Sequence, residues 1–190
     1  MQARIYSDDF NRLVDATKAF VSTREVEVRK FQKYIKLNFD AEHSRVTAVA
    51  VDGYRLSVEH ATCNADEDFY VYIKPTLKLP KGQYVTITLD ENEAVIRGAD
   101  YSFGFYQPQT EEFDYEKVIP TTEKRVFRIG FNGNYLLDAL KAAKVSSGDS
   151  LRKPVVIEFF GETAPALIRT NGEDVKMVLP VRLFDEEADQ

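Results

Sequence analysis

The sequence predicts an α+β protein whose helices pack on antiparallel sheets, and three observations carry that reading. Two segments repeat apolar residues at helical spacing. Most of the remainder alternates apolar with polar residues, as half-buried strands do. The order strand, helix, several strands occurs at both ends of the chain. A duplicated pattern of this kind places one helix over each sheet.

In the first helical segment Ser7 is read as the N-cap, and Asp8 and Asp9 favour the positive end of the helix dipole. Phe10, Leu13, Val14, Thr17, Phe20 and Val21 fall on one face, with Asn11, Arg12, Asp15 and Lys18 on the other. Strand candidates follow at Glu25–Phe31, Tyr34–Phe39, Arg45–Val51, Arg55–His60, Phe69–Ile73, Tyr84–Leu89, Glu93–Arg97 and Tyr101–Tyr106. Within YIKPTLKLPKGQYVTITL, Pro75 and Pro80 stand too close together for a full helix between them. After a linker at Thr121–Lys124 come strands at Arg125–Ile129, Val155–Phe160, Ala166–Thr170 and Val175–Leu183. The second helix starts at Asn132 as cap, runs through Tyr135, Leu136, Ala139, Leu140 and Ala143, and ends near Ser146–Gly148 with Lys141 and Lys144 in its last turns. Asp52-Gly53 and Asn171-Gly172 are tight-turn signals, and Gly161 turns another hairpin. Pro180 interrupts an apolar strand, which assigns it to an edge or a bulge. The last residues, Asp185–Gln190, read as a disordered acidic tail.

Composition bounds the function classes. The chain has 190 residues, 44% of them hydrophobic, so it can fill a core without staples. Lys and Arg number 25 against 31 Asp and Glu, a net charge of −6. That argues against wholesale coating of nucleic acid and leaves room for a local basic face. The single cysteine, Cys63, excludes an internal disulfide framework, and with two histidines it cannot build the usual structural zinc site. No metal or cofactor is expected. No apolar run reaches the roughly 18 residues of a membrane span, and MQARIYSDDF lacks the layout of a secretory signal, so a cytoplasmic location is the expectation.

Three stretches stand out: VTAVAVDGYRLSV (Val46–Val58), FDYEKVIP (Phe113–Pro120) and VKMVLPVRLF (Val175–Phe184). Singly they read as a hairpin, a block ending and an interrupted strand. Together and in this order they resemble the bacterial sliding clamp, the DNA polymerase III beta subunit. SDDFNRLVDATKAFV with DGYRL is similar to the start of that family's middle domain, and FDYEKVIP to its end. FNGNYLLDALKA and VLPVRL are similar to the second half of its C-terminal domain. The resemblance implies a DNA-clamp-like fold in which residues 1–121 correspond to a middle domain lacking its second helix. Residues 125–184 correspond to half of the last domain, with 185–190 as an acidic extension. It implies a shortened, non-enzymatic, processivity-factor-like protein and leaves ring closure and homo-oligomerisation open.

In the family, the pocket that captures short peptides of polymerases, loaders and repair proteins lies between the middle and last domains. Carried over motif by motif, its residues here are Gly53, Arg55, Leu56, Pro120, Leu179, Pro180, Val181, Arg182 and Leu183. Val51 and Tyr54 stand where the family usually has Thr and His, and Met177 is a further wall. Leu, Val, Met and Pro walls suit the Leu and Phe side chains of an extended peptide, and Arg55 or Arg182 can hold a carbonyl or an acid at the rim. The same residues also fit simple strand packing. The family's helices line the DNA hole, so Arg12, Lys18, Lys141 and Lys144, with Arg29, Lys30 and Lys33, are the candidates for phosphate contact. They equally suit a solvated face. Two alternatives stay open: a clamp relative that competes for clamp partners without encircling DNA, and a small hydrolase using Cys63, near His43 and His60 in sequence, or the acidic turn Asp66, Glu67 and Asp68. Leu183-Phe184 followed by three acids is itself like a weak pocket-binding peptide, able to fold back on the pocket.

Overall fold

The computed structural model describes residues 1–24, 29–120, 127–146, 155–169 and 175–183. Several expectations lie outside them: strand residues 25–28, the linker and residues 125–126, the helix end beyond Ser146, the Asn171-Gly172 turn, and the tail from Phe184. The chain divides into two units, Met1–Val118 and Ile119–Gln190.

The first unit is built on one eight-stranded sheet in which every pairing is antiparallel. A strand absent from the candidates opens it, β1 (Gln2–Tyr6), followed by helix α1 (Ser7–Thr17). Then come β2 (Ile35–Asp40), β3 (Arg45–Val51), β4 (Leu56–Ala65), β5 (Phe69–Ile73), β6 (Tyr84–Asp90), β7 (Glu93–Arg97) and β8 (Ser102–Tyr106). Their order across the sheet is β5-β2-β3-β4-β1-β6-β7-β8. Alternation works as read: in β2, Ile35, Leu37 and Phe39 are buried while Lys36, Asn38 and Asp40 are half-buried. Phe10, Leu13 and Val14 of α1 are buried in one core with Ile5, Leu37, Val46, Val71, Ile87 and Ile96.

Several local expectations need correction. The N-cap is Tyr6, without a side-chain cap bond. Ser7 is instead buried inside the first turn, where its N–H donates to the Gln83 carbonyl and its Oγ accepts the Gln83 N–H. Asn11, read as solvent-facing, is buried because the proline-flanked segment at 74–83 covers it. Its Nδ2 donates to the Leu79 carbonyl at 2.8 Å and its Oδ1 accepts the Leu79 N–H at 2.9 Å. That segment is not helical, as its prolines require. Residues 30–33 form a short 3-10 turn rather than the end of a strand, with Phe31 buried.

The sheet's two ends are tied together by one side chain. Gln107 follows β8, yet its Oε1 accepts the N–H of Tyr72 in β5 at 2.7 Å, and its Nε2 faces the Tyr72 carbonyl at 3.5 Å. A side-chain amide thus stands in for a neighbouring strand at the opposite edge, which requires a curled sheet and protects an otherwise bare edge.

In the second unit, β9 (Gly130–Phe131) precedes helix α2 (Gly133–Ser146), then β10 (Val156–Glu158), β11 (Ala166–Arg169), β12 (Val175–Val178) and β13 (Pro180–Val181). Asn132 caps α2 as expected, its Oδ1 accepting the Asn134 N–H at 3.0 Å. Ala143 of α2 is buried with Ile168 and Val178 of the β10-β11-β12 sheet. Tyr135 is exposed and leaves the expected apolar face. Residues 127–129 are not a strand; the pairing falls one step later, where β9 takes β13 as partner. The expected strand Val175–Leu183 breaks at Leu179, and Pro180 starts a separate two-residue strand in which its missing N–H is tolerated. Gly161 lies in the connection between the antiparallel β10 and β11.

Candidate functional site

The β3–β4 hairpin carries the first part of the site. Val51 pairs with Leu56, leaving the four-residue loop Asp52–Arg55. Gly53 has φ +90, a conformation that disfavours a Cβ, and a Cβ there would also meet Gln32 Nε2 at 3.2 Å. Asp52 organises the loop: its Oδ1 accepts the N–H groups of Tyr54 and Arg55, both at 3.0 Å, and its Oδ2 accepts Arg55 Nη2 at 2.6 Å. Burial pushes the Asp52 carboxyl up, but these bonds and the Arg55 charge outweigh it and leave the pKa lowered. Arg55 is therefore held as a cation at the loop tip, with its guanidinium 5.5 Å from the Phe20 ring centre.

Against this hairpin lies a cleft of about 440 Å³, lined by Arg29, Phe31, Gln32, Val51, Gly53, Tyr54, Arg55, Leu56, Phe113 and Val118. All five hairpin residues expected in a pocket are thus brought together. Phe31 and Phe113 stack with centroids 5.1 Å apart and give it an aromatic wall. Arg29 pairs with Glu111 at 3.6 Å, and Arg24 sits over the ring of Tyr54 at 5.1 Å. The rim thus carries arginines while the wall is apolar. Arg29, Phe31, Gln32, Phe113 and Val118 also line the cleft; none is among the pocket residues the sequence points to, and Arg29 stands among the phosphate-contact candidates instead. Phe113 and Val118 lie in FDYEKVIP, where the resemblance points to Pro120 alone.

The second unit has its own cleft, about 530 Å³, lined by Arg128, Ile129, Gly130, Glu162, Thr163, Pro180, Val181, Arg182 and Leu183. Leu183 approaches Gly130 so closely that a Cβ there would lie 2.6 Å from Leu183 Cδ2. Four expected residues, Pro180 to Leu183, share this cleft. Pro120, Met177 and Leu179 line neither; Met177 is 61% and Leu179 62% exposed.

The candidate phosphate contacts sit in mixed-charge surroundings. Arg12 donates through Nη2 to the His60 carbonyl at 2.6 Å and faces Glu59 and Asp9. Lys18 and Lys78 both bind Asp15, and their hydrogen bonds pull that carboxyl down to about 2. Lys30 and Lys33 lie on the 3-10 turn, and Lys141 and Lys144 are exposed on α2.

Cys63 is buried in β4, and burial, with the Asp40 charge, pushes its thiol up to about 11, so it stays protonated at neutral pH. Asp66 and Asp68 spend carboxylate oxygens on the N–H groups of Gln2 and Ala41, as turn residues do. Among the described residues no group of acidic, His or Cys side chains is placed to hold a metal, and no helix is long and apolar enough to cross a membrane.

A helix over a curled antiparallel sheet, followed by a second helix-and-sheet unit, defines an α+β clamp-like architecture, and comparison with solved structures gives the same answer. The chain has the fold of the bacterial DNA polymerase III beta sliding clamps. It superposes on a putative beta subunit from Eubacterium rectale with TM-score 0.77 at 12% identity, over 95% of this chain and 50% of that one. The beta chain of Streptococcus pneumoniae gives 0.77 at 19% identity, over 94% and 49%. The Helicobacter pylori beta clamp bound to a DNA ligase peptide gives 0.71 at 17% identity, over 95% and 49%. The chain spans about half the length of these clamps. No protein-family model and no curated protein matches its sequence.

Proposed function

We propose that this protein is a sliding-clamp-like replication factor that captures short peptide motifs of polymerases, clamp loaders or repair proteins. The observation that carries the reading is the apolar cleft with an arginine rim at the β3–β4 hairpin, set in a clamp fold. A neighbour of the same fold holds a DNA ligase peptide, which supports peptides as the ligand class. Val51, Leu56, Phe31 and Phe113 would bury the apolar side chains of such a peptide, and Arg55, fixed by Asp52, would meet a carbonyl or an acid. Pro180, Val181, Arg182 and Leu183 of the second cleft are assigned to the same task, with Pro120, Met177 and Leu179 as outer contacts. Phosphate contact falls to Arg12, Lys18, Lys141 and Lys144, with Arg29, Lys30 and Lys33, and would be independent of base sequence and weakened by salt.

The test is fluorescence anisotropy with a labelled DNA ligase clamp-binding peptide. Leu56→Ala and Leu183→Ala should each weaken binding about tenfold, the loss of one partly buried leucine contact, with an unchanged circular dichroism spectrum. Wild-type affinity in both variants removes the assignment. Retention on nicked circular but not linear DNA would identify a ring-forming clamp, whereas peptide binding without retention would identify a competitor for clamp partners.

A further inference from the structure

We propose that the face of the first unit's sheet opposite α1, around Arg4, Tyr84 and Arg97, binds single-stranded nucleic acid through phosphate contacts and base stacking. This surface uses neither the hairpin cleft nor the basic residues of the helices, and the peptide-binding reading can fail without touching it. Strand alternation sets it out. Ile5 of β1, Ile87 of β6 and Ile96 of β7 point into the core that contains Phe10, Leu13 and Val14 of α1. Their neighbours along each strand therefore point the other way. The register puts five such side chains in one row across the sheet, Asn64, Arg4, Thr86, Arg97 and Ser102. All are exposed except Thr86, which is half-buried. In the adjoining row Tyr6 pairs with Tyr84.

Two features of this face match a single strand. Arg4 and Arg97 stand two strand spacings apart, about 10 Å, and can serve phosphates of one chain. Among the described residues neither has a carboxylate partner, so a phosphate taken by either guanidinium displaces nothing. Asp90 and Glu93 share the face but lie four residues along from Thr86 and Arg97, about 13 Å away. That exceeds the screening length of about 8 Å at physiological salt, so the arginine end is locally basic although the chain carries a net charge of −6. The second feature is the ring of Tyr84. It is 58% exposed, the Arg4 guanidinium lies 4.5 Å from its centroid, and Tyr6 meets it edge-on at 5.2 Å. Tyrosine rings and guanidinium planes both stack unpaired bases, whereas a duplex keeps its base faces hidden and offers phosphates alone. A stacking platform beside two guanidiniums thus favours a single strand and is indifferent to base sequence.

The experiment follows the anisotropy of labelled oligo(dT) with the full chain across a salt series, beside Arg97→Gln, Tyr84→Leu and Tyr84→Phe, each checked by circular dichroism. Arg97→Gln should weaken binding and lower the slope of log K against log salt by about 0.7, the share of one phosphate contact on a single strand. Tyr84→Leu should weaken binding about tenfold with the slope unchanged, and Tyr84→Phe, which keeps the ring, should bind like wild type. The chain has no tryptophan, so its intrinsic emission is that of tyrosine, and the quench caused by oligo(dT) should shrink in Tyr84→Leu. Wild-type affinity in either Arg97→Gln or Tyr84→Leu, or no binding of oligo(dT) at all, overturns the proposal and leaves peptide capture untouched. Duplex DNA that depends on Arg97 as strongly as oligo(dT) does would reduce the row to a phosphate patch and overturn the single-strand assignment. A phosphopeptide that displaces oligo(dT) at equal concentration would overturn it in favour of a protein partner.

Discussion

Asp52 shows how one side chain sets the geometry of the proposed site. Its carboxylate accepts two backbone N–H groups and the Arg55 guanidinium, so it shapes the loop and fixes the cation at once. Replacing it with Ala should destabilise the first unit by about 1–2 kcal/mol, the usual worth of charge-assisted hydrogen bonds after solvent exchange, and weaken peptide binding as Arg55 is released. The pH dependence follows from the lowered pKa. A carboxyl with a depressed folded pKa stabilises fully above its unfolded value, near 3.8, and loses that contribution as pH falls through the lower folded value. The gap between wild type and Asp52→Ala in urea melts should therefore be constant from pH 7 to pH 5 and close below about pH 3.8. A gap that persists at the acid end would mean that the charge on Asp52 does not hold the loop. At Gly130 a Cβ would meet the Leu183 Cδ2 methyl at 2.6 Å, so a side chain there would have to displace the tip of Leu183 at this end of the second cleft.

At the scale of elements, the strands that could be read were those whose own residues carry the pattern. Glu93 to Arg97 appears as expected because one face is buried and the period is two, and Arg45 to Val51 because its run of apolar and β-branched residues suits a strand buried on both faces from Val46 to Ala50. In β1, Ala3 and Ile5 are buried between exposed Gln2 and Arg4, so the alternation exists, but it is short and runs straight into the helix. The segment after β8 had no periodicity to find. Gln107, Glu111, Glu112 and Phe113 are placed by partners far away in sequence, Tyr72, Arg29, Lys36 and Phe31, and only the folded sheet brings these together. The same holds for the site: DGYRL and the Pro180 break were visible as turn chemistry, whereas Phe31 and Phe113 became cleft walls through a 3-10 turn and a loop. Gln107 gives this its test. Gln107→Ala removes the bridge between β8 and β5, and should cost about 1–2 kcal/mol in urea unfolding by leaving the Tyr72 N–H without its partner. Hydrogen exchange at the Tyr72 amide should speed up more than at Val46 in the middle of the sheet. Equal change at both positions would show that the sheet closes by packing alone.

For the whole chain, the two units differ in how much apolar surface they bury, and that difference sets the order of unfolding. The first unit encloses a continuous core around α1, with Phe10, Ile5, Leu13, Leu37, Ile87 and Ile96 essentially removed from solvent. In the second, the buried apolar residues among those described are Ala143, Ala166, Ile168 and Val178, while Phe159, Phe160, Met177 and Leu179 remain exposed. Burial at roughly 25 cal/mol per Å² must offset the entropy of ordering each residue, and small cores fall closest to balance. Amides of β10–β12 and α2 should thus exchange faster than those of β2, β3 and β7, and urea should unfold the second unit at lower concentration, giving two transitions instead of one. A peptide's contacts with Pro180 to Leu183 add binding energy to the folded state of that unit only. Saturating ligase peptide should then raise the first transition through its contacts at Pro180 to Leu183 and the second through those at Phe31, Leu56 and Phe113, a total linkage of about 2.7 kcal/mol at a hundredfold excess over Kd. Movement of the later transition alone would place the energy of capture at Phe31, Leu56 and Phe113 and none of it at Pro180 to Leu183.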